Sequence, residues 1–239
     1  MNKLWAVVTC MGRLSHVKAS IASVSQYTGV QYLLVDHECP DKSGDWVEQY
    51  HPEASVLRIK ARDRVGGRPL FNKPVALNAG ADFAFSHGAT HILFVDADTI
   101  VQDLSWVLTH LSDDHFMIPD IRANDMGLYG LLVVPKAGFE RSGRYDENLL
   151  GYGVEDIDMR LRLYYHAKLG FNKIPVRIGR SIPHHDRMRT LHYRETQKEV
   201  TQRNNMVRMH DNFRSLGISL EDKYEDPAER QVIKELAGL

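Results

Sequence analysis

Two acids two residues apart close an apolar run, His91-Ile92-Leu93-Phe94-Val95-Asp96-Ala97-Asp98-Thr99. An apolar strand would carry both carboxylates to one sheet edge, because residues i and i+2 can share a face. Such a pair suits a hard divalent cation whose other positions go to diphosphate oxygens. It could equally cap the turn that follows. A second acidic cluster, Gly151-Tyr152-Gly153-Val154-Glu155-Asp156-Ile157-Asp158, opens a helical stretch. Acids at a helix N-terminus offset the macrodipole, but that purpose needs neither the glycines nor Tyr152. Glycines allow a ligand close to the backbone, an aromatic face can stack on a sugar ring, and an acid there can act as general base toward a hydroxyl.

Two further clusters carry less by themselves. Phe71-Asn72-Lys73-Pro74-Val75-Ala76-Leu77-Asn78-Ala79-Gly80 reads as a capped helix start, with Asn72 as N-cap, Pro74 in the first turn and Gly80 permitting close helix packing. Lys73 in that first turn could meet a phosphate. In Pro183-His184-His185-Asp186, neutral imidazole could join carboxylates around a manganese-type ion. A histidine pair is also ordinary surface or core sequence.

The elements that would position these groups follow from hydrophobic period. Residues 5–10, 32–35, 56–59 and 92–95 read as buried strands, and 15–27, 72–86 and 104–111 as helices. Alternation of that kind predicts an α/β fold with a mostly parallel central sheet covered on both faces. Ligands of such sheets sit beyond the carboxyl ends of the strands. Thr9 to Arg13, Asp36 to Glu38 and Asp96 to Asp98 then surround one crevice. Later, 131–134 reads as an apolar run, 154–169 as a helix and 176–182 as a final strand. Residues 187–214 read as a basic helix, and 221–239 as an acidic stretch that turns helical.

The chain has 239 residues, 43% of them hydrophobic, enough for one large α/β unit with a short addition. A formal net charge of −1 gives no support to nucleic-acid binding. Cys10 and Cys39, the two cysteines, fit no zinc spacing and read as reduced thiols of a cytoplasmic protein. No run is long enough to span a bilayer, and the N-terminus lacks a signal-peptide core. The basic 187–214 stretch reads as a solvated face packed on the rest of the chain. The alternative is peripheral contact with an anionic membrane or a lipid-diphosphate acceptor.

The order and spacing of the four clusters resemble the GT-A glycosyltransferases, particularly the β-1,4-galactosyltransferase-like group and its family 2 relatives. Phe71 to Gly80 is similar to their Phe-Asn-Arg-Ala-x-x-Leu-Asn-x-Gly segment, with Lys73 at the Arg position. Asp96 to Asp98 matches Asp-x-Asp. Gly151 to Asp158 resembles Gly-Trp-Gly-Gly-Glu-Asp-x-Asp, with Tyr152 at the Trp and Val154 at a Gly. His184 and His185 stand where a metal-binding His follows. The resemblance covers roughly residues 4–190.

It implies a GT-A, nucleotide-diphospho-sugar transferase fold over 1–186, with a nucleotide-binding half (1–100), an acceptor half (101–186) and a helical extension (187–239). It implies an inverting, metal-dependent transfer of galactose, N-acetylgalactosamine or a similar sugar from a UDP-sugar to a glycan or lipid-linked acceptor. Asp98 would bind Mn2+ or Mg2+, with His184 or else His185 completing the site. Asp96 would reach the ribose or the ion's water shell. Thr9, Arg13, Lys73 and Asn78 would approach the donor, and Asp36 its base. Asp156 would be the catalytic base. Glu155 would hold the acceptor beside Tyr152 and Gly153.

Two other functions fit some of these residues. Asp96 to Thr99 also matches the Asp-x-Asp-x-Thr signature of haloacid-dehalogenase-type phosphatases, in which Asp96 would be the nucleophile. Those enzymes carry the motif near the N-terminus and need paired acids on a later strand, whereas Glu155-Asp156 follows a Gly-Tyr-Gly turn. A non-catalytic nucleotide-sugar-binding protein is the third reading, which the retained acids oppose.

Overall fold

The structure, a computed structural model, describes residues 3–238 apart from 121, 125, 184 and 186–189. Its first strand, β1 (Leu4–Cys10), is buried at every position. A strand covered on both faces needs apolar residues throughout rather than alternation. β2 (Val30–His37) and β6 (His91–Asp96) flank β1, both parallel to it, β3 (Ser55–Ile59) continues the sheet beyond β2, and β4 (Arg64–Val65) and β5 (Arg68–Pro69) pair antiparallel apart from it. On the other side the chain direction mixes. β9 (Leu132–Pro135) runs antiparallel to β6 and to β8 (His115–Pro119), and β10 (Gly170–Ile174) lies parallel to β8. The order across the sheet is β10-β8-β9-β6-β1-β2-β3.

Helices cover both faces. On one, Val17, Ile21 and Val24 of α1 (Leu14–Ser25) pack with Ala6, Val8 and Leu34, and α2 (Ser43–Tyr50) adds Val47. On the other, Ala76, Leu77 and Ala81 of α3 (Lys73–Ser86) pack with Val7, Leu33 and Val35. The α3 start is as its sequence predicts: Asn72 Oδ1 accepts from the Val75 amide at 3.1 Å, and a proline stands in the first turn. Gly80 lies against the sheet. A Cβ there would come 2.5 Å from Val7 Cγ1 and 2.8 Å from Val35 Cγ2, so the close approach depends on glycine.

The second half differs from its sequence reading in three places. β8 and β10 are strands that the hydrophobic pattern did not flag, because the apolar run of β8 is short, Phe116 to Ile118, and Asn172 and Lys173 interrupt that of β10. The strand expected over 176–182 shrinks to β11 (Gly179–Ser181), which leaves the main sheet to pair with β7 (Thr99–Val101) as a two-stranded ribbon. Of the basic helix expected over 187–214, residues 187–189 lie outside the described residues, 191–197 are not helical, and Lys198–Ser215 forms α7. It is preceded by α4 (Ser105–Thr109), α5 (Lys136–Arg141) and α6 (Glu155–Tyr165), and followed by α8 (Leu220–Glu225) and α9 (Pro227–Ala237).

Residues of the helical extension expected over 187–239 pack into the main core. Met209, Phe213, Leu220 and Leu236 join the cluster that holds Leu161 and Leu163 of α6. Arg208 Nε reaches Asp146 at 2.6 Å, and Tyr165 Oη donates to Glu229 at 2.8 Å. Among the described residues no helix is long and apolar enough to cross a membrane.

Replacing Gly80 with alanine forces a methyl group into the Val7–Val35 surface. The expected loss is about 1–3 kcal/mol from overpacking, less the gain of at most about 1 kcal/mol in helix propensity. Urea unfolding of Gly80→Ala should show a lower midpoint at unchanged slope.

Candidate functional site

Beyond the carboxyl ends of β1 and β6 lies a cavity of about 320 Å³, lined in part by Thr9, Arg13, Lys73, Asp96, Asp98, Tyr152, Gly153, Glu155 and Asp156. Nine of the residues singled out in the sequence thus meet in one place. They arrive from four places: the end of β1 and the loop after it, the N-terminus of α3, the end of β6, and the turn into α6.

Lys73 stands at their centre. Its ammonium is 3.0 Å from Asp96 Oδ1, 3.0 Å from Glu155 Oε1 and 3.4 Å from Asp156 Oδ2, with the side chain only 13% exposed. Burial opposes its charge, but Asp156, Asp96 and Glu155 outweigh that and hold its pKa well above the ordinary lysine value. Asp156 feels the same surroundings from the other side. Burial pushes its carboxyl up, Lys73 pulls it down, Glu155 and Asp96 push it up again, and it rests at about 7. A carboxyl at that value exchanges a proton near neutrality, as a general base must.

The chain reaches α6 through a tight turn. Gly151, Gly153 and Val154 have φ of +81°, +86° and +81°. Two successive left-handed residues before Glu155 swing the first turn of α6 toward Lys73. Glycine adopts that conformation freely, but a β-branched residue is strained there, by roughly 1–3 kcal/mol. Val154 is nevertheless buried in the core cluster, which holds it in place. This is the position where the resembled family has glycine. Tyr152 is fixed by its backbone: its amide donates to Thr201 Oγ1 at 3.3 Å, and its carbonyl accepts from that hydroxyl at 3.1 Å.

Several expected residues have other employment. Asp36 lies outside the cavity. Its carboxylate accepts from the Cys39 amide at 2.7 Å and the Gly44 amide at 2.9 Å, fixing the turn into α2. The expected contact with a nucleobase therefore has no support in the geometry. Asn78 is also outside. Its amide donates to the Tyr145 carbonyl and to Glu147 Oε1, both at 3.0 Å, and it accepts from the Tyr145 amide at 3.1 Å, a buried tie between α3 and the 145–147 loop. Asp158, the last acid of its motif, is fully buried and bound by Arg162, whose Nε donates to it at 2.9 Å. His185 is exposed, and His184 lies outside the described residues.

Other lining residues escaped the sequence reading. Gly130, just before β9, presses on Asp96: a Cβ there would fall 2.2 Å from Oδ2. Tyr129, His192 and Tyr193 also line the cavity. The Phe71 amide donates to the His192 carbonyl at 2.9 Å, and the His192 ring sits so close to Gly12 that a Cβ on Gly12 would be 2.3 Å from Nε2. The 190–193 segment therefore bridges the loop after β1 and the start of α3. Nothing in its composition signals this, because the contact joins residues about 120–180 positions apart.

The described residues bear on a metal ion in a specific way. Among them no three His, Cys, Asp or Glu side chains converge tightly enough to hold one. Asp96 is already paired with the Lys73 ammonium. A donor set based on Asp98 thus fits only an open site, one that takes most of its oxygens from a bound diphosphate.

No protein-family model matches the chain. Among curated proteins, a 92-residue segment is 30% identical to serine racemase of Arabidopsis thaliana, spanning 38% of this chain and 27% of that protein. A match of that extent assigns no family. Among solved structures, S. aureus TarS 1-349 aligns over 95% of this chain and 77% of its own, with a TM-score of 0.56 at 14% identity. The same TarS fragment in complex with UDP gives 0.54 over 93% and 77%, also at 14% identity. The fold is the α/β fold of the GT-A, nucleotide-diphospho-sugar transferases.

The contact between Gly130 and Asp96 supplies a test of the site. Gly130→Ala must displace the Asp96 carboxylate, and with it one arm of the Lys73 cluster. Misplacement by about 1 Å costs on the order of 100-fold in a positioned active site. The variant should keep its melting temperature within a few degrees while losing about that factor in kcat/KM.

Proposed function

We propose that this protein is a glycosyltransferase that moves a sugar from a UDP-sugar to a hydroxyl of a glycan or lipid-linked acceptor, with inversion at the anomeric carbon. The observation that carries the reading is the Lys73 cluster, in which one buried ammonium gathers Asp96, Glu155 and Asp156 at the carboxyl edge of the sheet. Its support is the fold shared with TarS, a protein crystallised with UDP, together with the order of motifs along the chain. The phosphatase alternative has no such support from the fold.

In this reading Asp156, ionised above about pH 7, takes the proton of the acceptor hydroxyl. The hydroxyl oxygen attacks the anomeric carbon from the face opposite the diphosphate. The carbon–oxygen bond to the diphosphate breaks, and UDP leaves with the bonding pair. Glu155 and the Tyr152 face orient the acceptor, Asp96 meets the ribose, and Thr9 and Arg13 line the donor side. Lys73 keeps Asp156 and Asp96 at a fixed separation, so both partners are held in line.

The cavity's charge explains why a cation belongs to the proposal. Four carboxylates, Asp96, Asp98, Glu155 and Asp156, line it against the cationic side chains of Lys73 and Arg13. A diphosphate would add further negative charge. A divalent ion such as Mn2+ or Mg2+, held by Asp98 and by a histidine of the 184–185 pair, would offset that charge and stabilise the leaving diphosphate. UDP with Mn2+ should then raise the melting temperature more than the two shifts taken separately.

Two kinetic outcomes follow. Asp156→Asn should lower kcat by about 10²–10⁴-fold while the Kd for UDP stays within a factor of about two, read by titration calorimetry. The pH profile of kcat/KM should have a rising limb near pH 7, because the base form of Asp156 appears only above that value. Lys73 pulls this pKa down, so Lys73→Met should move the limb to higher pH. An unmoved limb would detach Lys73 from the base.

A further inference from the structure

Immediately behind the cavity, the two cysteines meet. Cys10 ends β1 and Cys39 follows β2, and their sulfurs are 3.5 Å apart. Separated by 29 positions in sequence, they come together because β1 and β2 pair in parallel, with Cys10 opposite Asp36. Neither sulfur lines the cavity. Both are free thiols, Cys10 buried and Cys39 partly exposed.

Cys39 is the hub of the loop that follows β1. The Gly12 amide donates to Cys39 Sγ at 2.9 Å. The thiol in turn donates to Asp41 Oδ1 at 2.9 Å, and Ser43 Oγ donates to the same oxygen at 2.6 Å. The other Asp41 oxygen accepts from the Leu14 amide at 2.6 Å, at the start of α1. The backbone on both sides of Arg13 is thus tied to the Cys39–Asp41 unit, and Arg13 lines the cavity.

We propose that Cys10 and Cys39 are a dithiol–disulfide pair whose oxidation loosens the Gly12–Leu14 loop and weakens binding of the nucleotide donor. The effect on the donor rests on the glycosyltransferase reading; formation of the disulfide does not. The chemistry needs a disulfide oxidant such as oxidised glutathione. Cys39, as thiolate, attacks one oxidant sulfur and expels a thiolate, leaving a mixed disulfide. Cys10 gives up its proton and attacks the Cys39 sulfur, expelling the second thiolate. The two cysteines lose two electrons and two protons, and one oxidant disulfide becomes two thiols.

The surroundings divide the roles. At Cys39 the contact with Cys10, helped by Ser43 and the Gly12 amide, outweighs burial and the Asp41 carboxylate and brings the pKa below the ordinary thiol value, whereas the Cys39 contact and burial raise Cys10. Cys39 is also the more accessible of the two. It is therefore the sulfur that meets the oxidant, and Cys10 the one that resolves the mixed disulfide. Closing the bond shortens the sulfur separation from 3.5 Å to about 2.05 Å. It removes the thiol proton that Cys39 donates to Asp41 and shifts the acceptor of the Gly12 amide.

The 239-residue chain, incubated with oxidised glutathione, should lose about 2 Da by intact mass as two hydrogens leave, and both cysteines should then resist alkylation. Amide exchange across 11–14 should quicken, and the Kd for UDP should rise by about tenfold, within the usual range of coupling between two sites. Dithiothreitol should reverse all three changes. Cys10→Ala should accept glutathione on Cys39 without forming the internal bond. A glutathione adduct as the sole wild-type product, or a disulfide that leaves exchange at 11–14 unchanged, overturns the proposal. If the disulfide forms and exchange quickens but the reduced protein binds no UDP, the redox pair stands and the donor assignment fails.

Discussion

The site depends on one buried ammonium. Asp96 ends β6 while Glu155 and Asp156 open α6, and three carboxylates in a partly enclosed cavity would repel one another without a cation among them. Lys73 supplies it from the first turn of α3, close enough to touch all three. Removing one partner of such a buried cluster leaves an uncompensated charge, which costs far more than losing a surface pair. The elements around the cavity can be understood as the means of placing that lysine. Asn72 caps the helix that carries it, and Gly80 lets that helix lie close to the sheet.

The same interaction links the structure to its proposed chemistry. Burial and neighbouring carboxylates raise Asp156, Lys73 restrains the rise, and the balance falls near neutral pH. Positive φ at Gly153 and Val154 aims Glu155 and Asp156 at the lysine, and the strain at Val154 is borne by its packing in the core. Gly130 does the complementary job at Asp96 by leaving no room for any side chain. The cavity is therefore crowded by backbone where it is charged.

Much of this was legible in the residues. Buried strands in the first half announce themselves because β1, β2 and β6 carry unbroken apolar runs, Leu4 to Val8, Tyr32 to Val35 and Ile92 to Val95, and Asn72 with Pro74 marks the start of α3. The acid pairs signalled a shared site, and they do share one. What the sequence did not disclose is long-range. Lys73 read as a phosphate contact, and its role as the counter-charge of three acids exists only once α3, β6 and α6 are assembled. Asp36 and Asn78 were plausible donor contacts by position, yet their side chains are consumed by backbone amides and carbonyls. β8 was hidden by its shortness and β10 by Asn172 and Lys173, and Gly130 and His192 matter through proximity that no local pattern encodes.

The central claim is that this cavity transfers sugar from UDP. It is tested most directly by incubating the wild-type protein with a panel of UDP-sugars and Mn2+, following UDP release and the anomeric configuration of the released sugar by NMR. The account predicts slow release of UDP from at least one donor, with the freed sugar appearing first in the inverted configuration. Turnover of p-nitrophenyl phosphate with magnesium, with no UDP-sugar consumed, would contradict it.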